Sequence, residues 1–116
     1  MRRQKTYSAQ SGYVYQYYYE GQREAARGRE RGAEYVFAVT ADRRTSFPVS
    51  VFVSADAVAA WEQRHGRSLT ATERYALAKM ALFGAFDERE DPRRMREEVR
   101  LRPADVEAIL ERLGIE

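Results

Sequence analysis

Two runs of residues carry side chains whose type and spacing suit recognition chemistry. The first is the stretch Gly12–Glu20, where Tyr13, Tyr15, Tyr17 and Tyr19 alternate with Val14, Gln16 and Tyr18. An extended chain points successive side chains to opposite faces, so the four odd-numbered rings share one face. Rings displayed on a sheet stack on unpaired bases in single-strand nucleic-acid binders. They serve equally to pack against helices or a second subunit, with the hydroxyl left wet. The second run holds Arg23, Arg27, Arg29 and Arg31, whose planar guanidinium groups match phosphate and carboxylate bidentately. These four are the candidate polyanion contacts. Glu20, Glu24, Glu30 and Glu34 interleave with them, which describes a solvated, self-neutralising surface better than a phosphate track.

Other reactive chemistry has little to build on. His65 is the single histidine, and cysteine is absent, so disulfides, thiolate metal sites and a cysteine nucleophile are excluded. His65 sits in Arg64-His65-Gly66-Arg67, where a cation at a helix C-terminus is favourable without any catalytic role. Asp87-Glu88-Arg89-Glu90-Asp91 supplies carboxylates, but the arginine among them reads as solvated surface. No Gly-x-Ser-x-Gly elbow occurs, and the glycines at 21, 28 and 32 lack the spacing of a phosphate-cradling loop. No catalytic residue, metal ligand or cofactor is assigned.

The elements that must position these residues follow from periodicity. Residues 12–20 read as the first strand. Residues 21–32, with three glycines, admit a surface loop, one helical turn or the tip of a long hairpin. Glu34–Thr40 reads as the second strand, Asp42-Arg43-Arg44 as a turn and Ser46–Val53 as the third strand. Phe47, Val49, Val51 and Val53 then form a core face, and Pro48 belongs at a strand start or edge.

The period changes after Ser54, an N-cap for a helix that runs to His65 and stops at Gly66. Thr70-Ala71-Thr72-Glu73 spells a capping box. The helix behind it, to about Phe86, is apolar nearly all round and is expected at the centre of the core. Gly84 interrupts it, for which close approach of a neighbouring element is the expected reason. Trp61 falls on the core face of the preceding helix. Asp91-Pro92 opens a short helix to about Val99. Pro103 opens the last helix, striped by Val106, Ile109, Leu110 and Leu113 and closed by Gly114.

The 116 residues suffice for one domain with one core, and 44% hydrophobic with 33% charged residues describes a globular chain. Nine Arg/Lys face five Asp/Glu in residues 1–44, against eleven and thirteen in residues 45–116. Met1-Arg2-Arg3-Gln4-Lys5 is followed by no apolar stretch, so residues 1–11 are expected to be a frayed basic tail rather than a signal peptide. No apolar run reaches membrane-spanning length. A cysteine-free chain fits a reducing, cytoplasmic setting.

The expectation is therefore an α+β fold: a three-stranded antiparallel meander over residues 12–54, packed by three to four helices over 55–113. The expected function is a small non-enzymatic protein-interaction module that forms a homodimer with its first strand at or near the interface. The tyrosine strand is uncharged from Gly12 to Tyr19, and a bare edge of that kind needs cover from a second copy or from residues 1–11 or 21–32. Two alternatives remain. One is RNA or single-stranded nucleic-acid binding through the tyrosine face and the N-terminal arginines. The other is a small-ligand or enzymatic pocket between sheet and central helix.

Overall fold

The computed structural model describes residues 3–116; Met1 and Arg2, the start of the expected tail, lie outside the described residues. The chain is α+β. Its strands are β1 (Lys5–Ser8), β2 (Val14–Arg27), β3 (Glu30–Thr40), β4 (Phe47–Ser54) and β5 (Val99–Leu101). Its helices are α1 (Ala55–His65), α2 (Ala71–Glu88) and α3 (Pro103–Arg112), with a short 3-10 helix at Pro92–Arg96. The strands form one sheet in the order β1-β2-β3-β4-β5, antiparallel except for the parallel β4–β5 pair.

The three-stranded expectation is thus corrected to five strands. Residues 5–8 of the expected frayed tail are β1, pairing Lys5 with Tyr17 and Ser8 with Val14. The pairing covers part of the uncharged strand edge from within the chain. Long-range contacts hold it there. The Tyr7 ring stacks on Phe83 with centroids 4.3 Å apart, and its hydroxyl donates to Asp87 at 2.8 Å. Ser11 donates to the Phe86 carbonyl at 2.8 Å. At the other edge, the helix expected from Pro92 to Val99 stops at Arg96. Val99 and Leu101 then pair alongside Val51 and Val53 and bury both side chains.

Residues 21–27 and 30–32 belong to strands and residues 28–29 to the turn that joins them, as the hairpin alternative had it. β2 and β3 run together to an Arg27–Glu30 pair, and Gly28 at φ 64° makes the tight turn that other residues resist. A register shift between Tyr19 and Gly21 marks a bulge in β2.

The helix boundaries follow local chemistry. Ser54 caps α1 by accepting from the Ala57 amide, and Gly66 ends it in the left-handed region. Thr70 and Glu73 form the reciprocal capping box of α2. α2 buries Leu77, Ala78, Ala81, Leu82, Ala85 and Phe86. The main core lies between the helices and one sheet face, built from Tyr15, Phe37, Val39, Val49 and Val51 against Trp61, Leu82, Phe86 and Leu110.

Candidate functional site

The tyrosine run is split by the fold. Tyr15 and Tyr17 are buried in the core, Tyr19 is half-buried and Tyr13, just before β2, is 42% exposed. Tyr15 stacks on Phe86 at 4.2 Å, Tyr17 meets Phe83 edge-on at 5.4 Å, and Tyr19 meets Tyr75 at 4.8 Å. Burial pushes the hydroxyl pKa of Tyr15, Tyr17 and Tyr19 upward. The ring face proposed for base stacking or for an interface is therefore occupied by α2, which has to bury its own aromatic stripe there. The same rings fill the space between sheet and central helix that a ligand pocket would need.

Among the described residues, no helix packs on the opposite sheet face. Its side chains lie outside the main core: Phe52 and Ala38 are buried yet separate from it, Tyr18 and Val36 are half-buried, and Val14 is 46% exposed. The register arranges this face in rows. Tyr18 aligns with Ala38 and Pro48, and Gly21 with Val36 and Ser50. These rows are uncharged. The next row aligns Arg23, Glu34, Phe52 and Arg100, and it is ionic.

That ionic row explains two of the four candidate arginines. Glu34, with 8% of its side chain exposed, accepts from Arg23 Nε at 2.5 Å and from Arg27 Nη2 at 3.0 Å. Arg27 also reaches Glu98, donating from Nε at 2.8 Å, and Arg100 donates to the same carboxylate at 2.9 Å. A hydrogen bond from the Ser50 hydroxyl, followed by those from Arg23 and Arg27, holds the Glu34 carboxyl below the usual range against the opposing effect of burial. For Glu98, burial acts upward, but Arg27 and Arg100 outweigh it and the net direction is down. The guanidinium groups of Arg27 and Arg100 lie 5.0 Å and 5.7 Å from the Phe52 ring centroid. Gly32 completes the seat: a Cβ there would stand 2.2 Å from the Val53 carbonyl oxygen and 2.9 Å from Phe52 Cζ. Arg23 and Arg27 are thus engaged with carboxylates. Arg29 and Arg31 stand exposed at or beside the hairpin turn, where they are separate from that network. The four do not converge on one anion site.

Sequence reasoning missed Glu98 and Arg100. Arg27 lies 71 residues from Glu98 along the chain, and although Arg100 is only two residues from Glu98, no local spacing announces that both guanidinium groups meet at Phe52.

Two grooves run between helices. One, of about 500 Å³, lies between α1 and α3 over Trp61, with Arg64 and Glu107 at its rim. His65 stacks on Trp61 at 4.2 Å and contacts both Glu107 carboxylate oxygens at 3.3 Å, so it fastens α1 to α3. The second, of about 370 Å³, lies between α2, β5 and α3 and includes Gly84. The expected close approach at Gly84 is not found: a Cβ there would meet nothing within 4 Å among the described residues. Glycine inside a helix costs about 1 kcal/mol relative to alanine, and packing within this chain does not require it. Among the described residues, no group of three or more His, Cys, Asp or Glu is placed to hold a metal ion, and no helix is long and apolar enough to cross a membrane.

Comparison with models of known families, with curated proteins and with solved structures finds no match for this chain.

Proposed function

We propose that the chain is a non-enzymatic protein-interaction module that self-associates through the helix-free face of its sheet. One observation carries the reading. The rows Tyr18–Ala38–Pro48 and Gly21–Val36–Ser50, which flank the bulge residue Glu20, form with exposed Val14 beyond them a largely uncharged surface on a sheet whose other face is already filled. Small residues at Gly21, Ala38 and Ser50 keep the side-chain relief of this face low, which suits sheet-on-sheet packing at about 10 Å. A second copy is the occupant that fits. Arg23, Arg27 and Arg100 are already paired inside their own chain with the two carboxylates of Glu34 and Glu98, three cations against two anions, so most of the charge beside this face is met from within. A two-fold axis would lay neutral rows on neutral rows and leave the ionic row at the rim. Face packing replaces edge pairing as the route, because β1 already covers Val14–Tyr17. The interface then involves the tyrosine strand through Tyr18 and Val14 rather than through the buried Tyr15 and Tyr17.

Sedimentation equilibrium at micromolar concentration tests this. The wild-type chain is expected as a dimer. Val36→Glu, which places a charge in the neutral rows, is expected as a folded monomer with an unchanged circular dichroism spectrum. A wild-type monomer overturns the proposal, as does a Val36→Glu protein that remains a dimer.

A further inference from the structure

We infer that the two lysines of the chain, Lys5 and Lys79, together bind a phosphate dianion, free or as a monoester, with the hydroxyls of Tyr17 and Tyr75 as further donors. The site lies on the helix side of the sheet, where β1 and β2 meet α2, and does not depend on the self-association above. Placement is the first observation. Lys5 stands two residues before Tyr7 on β1, so it shares the face on which the Tyr7 ring stacks on Phe83. Its partner across the ladder is Tyr17, which meets Phe83 edge-on at 5.4 Å. Lys79 precedes Phe83 by one turn of α2 and holds its Nζ 5.8 Å from the centroid of that ring. Tyr75 lies one turn earlier on the same side of the helix. One seam therefore carries both ammonium groups, each next to a tyrosine.

Charge is the second observation. Neither lysine has an ion-pair partner among the described residues. Carboxylates of α2 are committed elsewhere: Asp87 accepts from Tyr7 and the Gln10 amide, and Glu73 from Arg67 and the Thr70 amide. Burial first, and the like charge of Lys5 second, push the Lys79 ammonium below its ordinary pKa. Phe83 offers it a ring quadrupole and no counter-charge. One anion between the lysines relieves both the desolvation and the repulsion. The third observation is a set of idle donors. Tyr17 is 4% exposed, yet its hydroxyl has no hydrogen-bond partner among the described residues, and neither has that of Tyr75. Tyr75 is near enough to act electrostatically on the Tyr17 hydroxyl. Burial raises the pKa of both hydroxyls, so both remain protonated donors at neutral pH. Two cations and two O–H donors without an acceptor match a tetrahedral dianion better than a monocarboxylate.

Lysine isotopically labelled at Cε gives the full-length chain one NMR resonance for each of the two sites. Inorganic phosphate is titrated in against sodium chloride at equal ionic strength, with acetate as the monoanion. Phosphate is expected to shift both resonances to saturation and to move the Lys79 titration midpoint to higher pH, because an anion that prefers the ammonium form stabilises it. Acetate is expected to bind roughly tenfold less tightly or worse. Phenyl phosphate separates the sources: affinity equal to or above that of inorganic phosphate assigns a phosphoryl group carried on a larger molecule, and weaker binding assigns the free ion. Lys79→Gln and Lys5→Gln are each expected to weaken phosphate about tenfold, and Tyr17→Phe, which keeps the ring, about threefold. Lys5 is exposed on β1, so its variant keeps the test open should a change in α2 disturb folding, which circular dichroism reports. Absence of a saturating shift, or equal affinity for acetate, overturns the inference. So does phosphate binding that is unchanged in both Lys5→Gln and Tyr17→Phe, which would mean an adventitious ion only.

Discussion

The two faces of the one sheet bury aromatic side chains by different means. On the helix side, Tyr15, Tyr17 and Phe37 are covered by rings and aliphatic groups from α2: Tyr15 stacks on Phe86 at 4.2 Å, and Tyr17 and Phe37 meet Phe83 and Tyr75 at 5.4 Å and 6.3 Å. On the other side, Phe52 is 0% exposed without any helix above it. It is covered by the guanidinium planes of Arg27 and Arg100, which Glu34 and Glu98 hold in place. Dispersion and water exclusion act across the first face, and cation–π contact with charge-assisted hydrogen bonds acts across part of the second. Arginine is suited to this because a flat, weakly hydrated cation lies on a ring at lower desolvation cost than an ammonium. The ionic cover reaches only the rows near Phe52. The self-association proposal falls on the uncharged rows beyond it, around Val36.

The contrast can be broken most strongly from the helix side. Leu82 is fully buried in α2, so Leu82→Ala is expected to cost about 2–5 kcal/mol, measured by denaturant unfolding. A cost below 1 kcal/mol, on the order of a surface change, would remove α2 from the core and erase the difference between the faces.

Glu34→Gln probes the ionic side and should cost less, about 1–3 kcal/mol. One of its partners, Arg23, has 71% of its side chain in solvent, so that pair is largely screened; Arg27 is the enclosed one. The same variant should raise the hydrogen-exchange rate around Phe52 and leave the Leu82 region unchanged. If both regions loosen together, the two faces are one cooperative unit and the distinction is only descriptive.

The smallest effect is expected with acid. Hydrogen bonds from Arg67 first, and from the Thr70 amide second, lower the Glu73 carboxyl from 4.5 to about 2 in the folded chain. A carboxylate with a depressed folded pKa contributes stability that is fully present above 4.5 and is lost as pH falls toward about 2. Glu34 and Glu98 shift in the same direction on the other face. Thermal melts of wild type should therefore fall across this window, and Glu73→Gln should flatten part of the slope. An acid profile identical in the variant would detach Glu73 from the titration and leave the ionic face to account for it.

Much of the helical half was legible along the chain. Ser54, Gly66, Thr70 and Glu73 act on residues within one or two turns, so capping and termination appear at fixed spacing. The alternation of Phe47, Val49, Val51 and Val53 marked a core face for the same reason. The tyrosine run was readable as a strand, but its alternation predicted one shared face for four rings and could not say that Tyr13 lies outside β2. β1 and β5 were not legible. They are four and three residues long, and each exists because a neighbouring strand offers an edge.

The sequence by itself determined an α+β chain, its helix caps, its turn at Asp42, the apolar stripe of α2 and the absence of cysteine chemistry. These rest on interactions a few residues apart, which any conformation of the neighbourhood must respect. Only the tertiary structure decided which sheet face the helices cover, that residues 5–8 close the tyrosine edge, that Arg27 meets Glu98, and that Gly84 faces open space. Those outcomes depend on segments tens of residues apart competing for the same surfaces. Loop closure and burial decide that competition, and neither leaves a period in the chain.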